Sequence, residues 1–256
     1  IFPRKLKNKL KKEDFDLVVG VGDYAGIKDF RTYFMKFFKI IKENGIYLSA
    51  EEYFGKKKYK DLLKKDEKAT KNVLRELNKI GKPVIFIFGN SDDGWYNYAF
   101  DNEILKAKKG NVNFLKKLRN MKDFSYGKTN LKGINFLGFG GYMESVVNFE
   151  SSNKDIILNK KRNKRMNKTN KKLNSLFRGM RNKDIFVFHY PPEGVFDIIR
   201  DKKNIYNGRS AGVTIFRRAI IKHKPRLVLC GHMHEYQGKK KLGKSLIVNP
   251  GDAEKG

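Results

Sequence analysis

Short runs of consecutive apolar residues recur along the chain, and each run stops abruptly at a polar or glycine-containing segment. The runs read DLVVGV, VIFIF, DIFVF, RLVLC and SLIVN, and they begin at residues 16, 84, 184, 226 and 245. Strands that are covered on both faces of a sheet read as continuous apolar runs, whereas half-exposed strands alternate. We therefore predict five buried strands that pack between other layers.

Segments with helical spacing of apolar residues separate these runs. We predict helices in the basic N-terminal stretch, where Phe2, Leu6 and Leu10 share a face, in residues 26–45 with Gly45 as C-cap, and in residues 67–82, where Val73, Leu77 and Ile80 share a face. Residues 51–65 predict a loop or surface helix, and residues 154–183 a solvated helix. Residues 111–117 and 123–141 predict short, partly antiparallel strands. The alternation of helix and strand indicates one α/β domain over residues 1–256.

Polar side chains follow the predicted strands at the points where the strands end. They are Asp23, then Asn90 with Asp92 and Asp93, then His189, and finally His232 with His234; the chain contains only four histidines in all. Because the carboxyl ends of parallel strands meet at one edge of a sheet, we expect these side chains to converge. Imidazole, carboxylate and amide donors together suit Mn, Fe, Zn, Co or Ni, so the pattern predicts a divalent metal site.

The His232-x-His234 spacing fits two neighbouring ions more easily than a single ion. Side chains two residues apart on a strand share a face, so each ring can serve one of two neighbouring ions. Two ions about 3.5–4 Å apart that share a carboxylate form a clamp for displacement at phosphorus, with a hydroxide held between them as the nucleophile. The residues thus favour metal-dependent hydrolysis of phosphoesters.

The loop after the first strand also matches the dinucleotide-binding pattern G-x-G-x-x-A through Gly20, Gly22 and Ala25. That pattern requires an acidic residue at a second strand tip. Glu43 has a suitable spacing but lies at a predicted helix end, so we interpret the match as incidental.

Five short motifs in this order resemble those of the calcineurin-like metallophosphoesterases, and most closely the Icc-type prokaryotic and archaeal phosphoesterases. They are GD at 22–23, GNSD at 89–92, FHYPP at 188–192, GHMHE at 231–235 and VNPG at 248–251. The resemblance implies a four-layer α/β/β/α sandwich with two metal ions at the strand ends. It implies that Asp23 bridges the ions, that Asn90, His189 and His232 bind the second ion, and that His234 binds the first.

Two features depart from the family pattern. The Asp-x-His motif expected before Asp23 is absent from residues 1–22, and we expect the sequence to be truncated at both ends. Ser91 stands where many members have a histidine after the motif asparagine, which favours substrates with acidic leaving groups.

Further residues near the motifs have weaker assignments. We expect Asp92 to orient His189 or His232 through a ring N–H. Asn90 and Arg209 are candidates for substrate binding, although Arg209 and Ser210 fit a plain loop equally well. Cys230 fits a buried apolar position and His223 a solvated helix end. Tyr190 and Trp95 fit ordinary packing better than stacking on a nucleobase.

Charge adds information about partners. The formal net charge is +30 over 256 residues, and residues 154–183 carry twelve Lys and Arg against one acid, a net of +11. This balance favours nucleotides or nucleic acid as partners, or else reflects lysine as a default surface residue.

The single cysteine and the lack of a long apolar stretch predict a cytoplasmic protein without membrane contact. The alternatives to a metal-dependent phosphomono- or phosphodiesterase are a catalytically impaired scaffold of the same fold and a basic nucleic-acid-binding protein.

Overall fold

A computed structural model describes residues 2–44, 49–97, 106–143, 155–202, 204 and 206–253 of the chain. The helices in these residues are α1 (Arg4–Lys12), α2 (Lys28–Asn44), α3 (Ala50–Phe54), α4 (Lys56–Asn78), α5 (Lys109–Leu115), α6 (Asp155–Phe177) and α7 (Thr214–His223). The strands are β1 (Val18–Gly20), β2 (Val84–Phe86), β3 (Tyr96–Asn97), β4 (Lys106–Ala107), β5 (Met121–Asp123), β6 (Tyr126–Leu131), β7 (Ile134–Phe139), β8 (Ile185–Phe188), β9 (Leu227–Leu229), β10 (Gly238–Leu242) and β11 (Ser245–Asn249). A 3₁₀ turn, Asp93–Trp95, precedes β3.

The strands form two principal sheets. One has three parallel strands in the order β1-β2-β5. The other has six strands in the order β10-β11-β9-β8-β7-β6, in which the four central strands are parallel and the two edge strands are antiparallel to their neighbours. The short strands β3 and β4 pair with each other.

The side chains of β2 and β8 show how the two sheets stack. In the segment of β2, Ile85 and Ile87 join one apolar cluster with Val187 of β8, whereas Phe86 and Phe88 point into a different cluster. Successive strand side chains face opposite sides, so one face of each sheet packs against the other sheet. The first cluster is therefore the core between the sheets.

Helices cover the two outer faces. Leu74 and Leu77 of α4 pack with Phe86 on the three-stranded sheet. Leu173 of α6 and Phe216 of α7 pack on the six-stranded sheet, where the Phe188 and Phe216 rings stack at 3.9 Å. The predicted α/β/β/α sandwich is confirmed.

The local predictions fared unevenly. All five apolar runs contain strands, and residues 126–139 form the antiparallel hairpin β6–β7. The strand prediction for residues 111–117 is wrong, because α5 covers most of them. The prediction of a solvated helix for residues 154–183 holds only in part, because Leu173, Leu176 and Phe177 are buried. Residues 51–65 form α3 and the start of α4, and the predicted C-cap Gly45 lies outside the described residues.

Backbone hydrogen bonds join the two sheets at one edge of the sandwich. The carboxyl ends of the parallel strands lie at this edge: β1, β2, β5, β7, β8, β9 and β11. Gly141 N donates to Phe88 O at 2.6 Å, and Gly140 N donates to Ser125 O at 2.7 Å. Side chains at Gly138 and Gly140 would collide with the backbone oxygens of Phe124 and Phe88, so glycine permits this approach. Among the described helices, none is long and apolar enough to cross a bilayer.

Candidate metal centre

The residues predicted to bind metal come from both sheets and meet at the joined edge. Asp23 follows β1 and Asn90 follows β2 in the three-stranded sheet, whereas His189 follows β8 and His232 follows β9 in the six-stranded sheet. Asp23 and His232 adopt left-handed backbone conformations, with φ of 59° and 66°. Non-glycine residues in this region cost energy and cluster at functional sites, so both positions are consistent with such a site.

Two glycines allow the loops after β1 and β2 to touch. Gly22 has φ of 102°, and a Cβ there would lie 2.6 Å from Gly89 Cα and 2.7 Å from His189 Nδ1. A Cβ on Gly89 would lie 2.5 Å from Asp23 N. The glycines of the GD and GN motifs therefore set the separation between the side chains of Asp23 and Asn90.

Four donor atoms converge at this contact. Asn90 Oδ1 lies 2.8 Å from both His189 Nε2 and His232 Nδ1, and Asp23 Oδ2 lies 3.3 Å from His189 Nε2. One ligand atom from each of Asp23, His189 and His232 lies within 4.8 Å of the others. Metal–ligand bonds of about 2.0–2.2 Å place neighbouring ligands about 3 Å apart in an octahedron, which matches these separations.

The tautomer of His189 shows why this cluster suits a cation. His189 Nδ1 lies 2.8 Å from Val21 O, which only accepts, so Nδ1 carries a hydrogen. In the neutral ring, Nε2 then points a lone pair at two further acceptors, Asn90 Oδ1 and Asp23 Oδ2. Such a convergence of lone pairs is relieved by a proton on Nε2 or by a metal ion, and the donor types fit a divalent ion.

The electrostatics of the cluster agree with this description. Burial alone would raise the pKa of Asp23, but the charge of His189 and its hydrogen bond outweigh burial and hold that pKa well below its usual value. Burial, followed by the charge of His189, lowers the pKa of His232 to about 3, so its ring is neutral. Burial opposes protonation of His189, yet Asp23 raises its pKa above the usual value. The cluster thus combines a carboxylate and a neutral imidazole with His189, whose ring is drawn towards a positive charge at the position that a divalent ion would take.

His234 lies at the solvent side of the cluster. Its Nε2 is 3.9 Å from Asp23 Oδ2, and its side chain is 49% exposed, whereas the side chain of Asp23 is only 10% exposed. Asp23 therefore faces His189 on the buried side and His234 on the open side.

Asp92 is buried beside the cluster but does not act as we expected. Its carboxylate accepts hydrogen bonds from three backbone N–H groups, those of Asp23 (3.0 Å), Tyr24 (2.9 Å) and Gly89 (2.7 Å). The expectation that it orients His189 through Nδ1 is wrong, because that nitrogen faces Val21 O instead, and Nδ1 of His232 lies on Asn90 Oδ1. Asp92 fixes the backbones of the two loops, and it occupies N–H groups that a dinucleotide phosphate would need.

Three supports of the site escaped the sequence reasoning. Asn249 donates from Nδ2 to Met233 O at 3.3 Å and so holds the turn between His232 and His234. The ring of Tyr190 lies 4.0 Å from that of His232. Ser91 N donates to Asp23 Oδ1 at 2.8 Å, which orients the carboxylate. The VNPG motif was the available signal for Asn249; the other two contacts had none.

The remaining candidates lie in varied settings. Arg209 is exposed, with its Cζ 5.8 Å from the Tyr206 ring. Ser210 donates to Asp197. Trp95 stacks on Phe88 in the core, and Tyr190 is buried, as ordinary packing predicts. His223 is partly packed, 5.9 Å from the Phe177 ring, rather than fully solvated.

Comparisons with known proteins identify the family. A family model described as metallophosphoesterase, calcineurin superfamily, matches residues 3–256. One crystal structure shares 17% identity with a TM-score of 0.61 and covers 98% of this chain and 85% of its own, which shows a common fold. No curated protein matches the sequence.

Two further crystal structures are more distant. TT1561 of Thermus thermophilus has 15% identity and a TM-score of 0.43, with 93% of this chain and 88% of that one covered. Phosphopantetheinyl hydrolase (PptH) from Mycobacterium tuberculosis has 12% identity and a TM-score of 0.48, with coverage of 72% and 76%. With the family model matched from residue 3 to residue 256, the chain belongs to the calcineurin superfamily of metallophosphoesterases.

Proposed function

We propose that the protein hydrolyses phosphomono- or phosphodiesters with divalent metal ions bound at the cluster of Asp23, Asn90, His189 and His232. The observation that supports this proposal best is the convergence of lone pairs on Asn90 Oδ1, His189 Nε2 and Asp23 Oδ2. Family membership supports the phosphoesterase class of chemistry.

Each residue has a distinct part in this proposal. Asn90, His189 and His232 would hold one ion, Asp23 would contribute its carboxylate beside them, and His234 would offer its ring to a second ion on the exposed side. Bound ions would supply Lewis acidity and lower the pKa of a coordinated water. Asp92 and Ser91 N keep the Asp23 carboxylate in place, and the exposure of His234 leaves room for a phosphate group.

Protonation of the leaving group has no strong candidate among the described residues beside the cluster. Ser91 follows Asn90, and its N–H is already donated to Asp23. A serine hydroxyl is a weak acid, so water must supply the proton. We therefore propose a preference for acidic leaving groups such as p-nitrophenolate.

The test combines metal analysis with hydrolysis. The protein is loaded with Mn²⁺, desalted and analysed for metal, and hydrolysis of bis-p-nitrophenyl phosphate and p-nitrophenyl phosphate is measured with and without the ion. We expect Mn²⁺-dependent turnover that His189→Ala and His232→Ala abolish, with loss of bound metal. His223→Ala is the matched control, because this histidine lies at the end of α7, and it should retain both properties. Equal rates in wild type and His232→Ala would refute the proposal.

A second candidate is a scaffold of this fold that binds one ion and catalyses poorly. It is favoured by the uneven supply of donors: four converge at the buried position, whereas only Asp23 and His234 face the exposed one among the described residues. One metal per chain together with no turnover would support the scaffold, and two metals with turnover would exclude it.

A further inference from the structure

A basic hairpin stands beside the metal centre, between the HYPP segment and α7. The name basic hairpin is used here for its two arms, residues 197–200 and 208–211. We propose that it binds phosphate groups that flank the scissile ester, so that the substrate class is a linear phosphodiester chain such as an oligonucleotide. This inference rests on the proposed function and names the substrate of the same site.

The arms of the basic hairpin are held together by the backbone. Ile199 N donates to Arg209 O at 2.9 Å, Gly208 N donates to Ile199 O at 2.8 Å, and Ala211 N donates to Asp197 O at 2.7 Å. At the base, the buried carboxylate of Asp197 accepts hydrogen bonds from Gly194 N and from Ser210 Oγ. The hairpin is therefore an ordered element that can position side chains.

The basic hairpin docks on the turn that carries His234. Tyr236 Oη donates to Ile198 O at 2.9 Å, and Arg200 N donates to Glu235 Oε1 at 3.1 Å. The Phe196 and Tyr236 rings lie 5.7 Å apart. Because two residues of backbone span at most about 7 Å, these contacts place the hairpin next to the turn that carries His234.

Three exposed cations on this surface are supported by aromatic rings. Arg200 Cζ lies 4.8 Å from the Tyr236 ring, Lys240 Nζ lies 5.3 Å from the Phe196 ring, and Arg209 Cζ lies 5.8 Å from the Tyr206 ring. Within the described part of the chain, no carboxylate forms an ion pair with any of the three. A cation held over a ring keeps its N–H groups available for phosphate oxygens, and rings beside cations are typical of single-strand binding.

The backbone at Phe196 adds an independent observation. This bulky residue has φ of 57°, in the left-handed region that such side chains rarely adopt. The strained conformation brings its ring against Tyr236 and beneath Lys240. Protection of an edge strand explains lysines on β10 in general, but it does not explain arginines held on rings across a neighbouring hairpin.

The test removes the three cations with the variant Arg200→Gln/Arg209→Gln/Lys240→Gln. A matched control, Arg178→Gln/Arg181→Gln/Lys183→Gln, removes three charges from exposed positions that precede β8, at the end of that strand opposite His189. For both variants, kcat/KM is measured on a labelled single-stranded oligonucleotide and on bis-p-nitrophenyl phosphate. Oligonucleotide affinity is also measured without metal over a range of KCl concentrations.

We compare kcat/KM for the oligonucleotide with kcat/KM for bis-p-nitrophenyl phosphate. In the Arg200→Gln/Arg209→Gln/Lys240→Gln variant, the first should fall relative to the second by about tenfold or more. The slope of log K against log salt should flatten by about 0.7 for each lost phosphate contact, or about 2 in all. The control should stay within about twofold of wild type. Arg200→Lys/Arg209→Lys keeps the charges and should restore most of the slope, which separates charge from folding.

Two outcomes would overturn the inference. One is an equal loss in the hairpin and control variants, which would mean that overall charge explains binding. The other is a loss of affinity for poly-glutamate, in the variant that lacks the three cations, as large as its loss of affinity for the oligonucleotide. That result would mean that the surface binds any anion. If wild type hydrolyses neither substrate, the proposed function fails, while the metal-free affinities still decide whether the hairpin binds phosphodiester chains.

Discussion

Replacing Gly22 with alanine tests how closely the two loops that carry Asp23 and Asn90 must approach. Gly22 has φ of 102°, and a Cβ there would lie 2.5 Å from Gly89 N and 2.7 Å from His189 Nδ1. Nearby Gly26 provides a control, because it also has a positive φ, 56°, but a Cβ there meets nothing within 4 Å. The pair separates backbone strain from steric collision.

The expected free energies of unfolding follow from these surroundings. At Gly26, left-handed strain of about 1–2 kcal/mol is offset by about 0.4–1 kcal/mol from the stiffer unfolded chain, so Gly26→Ala should destabilise by about 0–1.5 kcal/mol. Gly22→Ala carries at least this strain, because φ of 102° lies beyond the left-handed region that L residues adopt, and it adds about 1–3 kcal/mol for forcing two rigid backbones apart. We expect a total of about 2–4 kcal/mol for Gly22→Ala.

Urea unfolding of the metal-free variants measures both values by linear extrapolation. Separation of the loops should also move Asp23 away from His189, so Gly22→Ala should lose bound Mn²⁺ and Gly26→Ala should keep it. Equal destabilisation of the two variants, or full metal content in Gly22→Ala, would refute the close packing inferred for these loops.

Three further predictions test the surroundings of the site. Ser125→Ala should lower the free energy of unfolding in urea by about 1–3 kcal/mol. The reason is that Ser125 Oγ accepts a hydrogen bond from Phe88 N at 3.0 Å and donates one to Asp123 at 2.5 Å. A decrease below about 0.5 kcal/mol would contradict this prediction. Burial, helped by Lys222 and Lys128, lowers the pKa of His223 below 6.5, so the unfolded chain binds the proton more tightly. The unfolding free energy relative to His223→Gln should then fall as the pH drops from about 8 to about 5, and a flat difference would show that His223 is not perturbed. Burial also raises the pKa of the Cys230 thiol to about 12, so an aromatic disulfide reagent should label it only after unfolding; fast labelling of the native protein would disprove that burial.

The order of apolar runs predicted the sandwich because its strands are covered on both faces. The polar residues after β1, β2, β8 and β9 predicted the cluster because parallel strands present their ends at one edge. Both predictions use information that is local in the sequence, together with one general rule of sheet geometry.

Contacts between distant segments account for what the sequence could not predict. The helix α5 looked like a strand, but Asn111 Nδ2 donates to Trp95 O at 3.0 Å and Phe114 packs against the Trp95 ring. Asp92 looked like a partner of a histidine, whereas it binds backbone N–H groups of residues 68 and 69 positions away. Backbone donors have no signature in residue type, so their partners remain hidden until the chain is folded.

The joining of the two sheets at the Gly140–Gly141 segment has a mechanical consequence. The hydrogen bonds to Phe88 O and Ser125 O, and the direct passage from β5 to β6, lie at the edge that carries Asp23, Asn90, His189 and His232. At the opposite edge, the exposed ion pair of Lys132 and Asp16, 2.8 Å apart, also links the turn after β6 to the segment before β1, and salt weakens such a pair. The two sheets are therefore held together more firmly at the edge that carries the cluster than at the opposite edge. We expect local opening of the two sheets to begin at the opposite edge. The distances among Asp23, Asn90, His189 and His232 should then be kept.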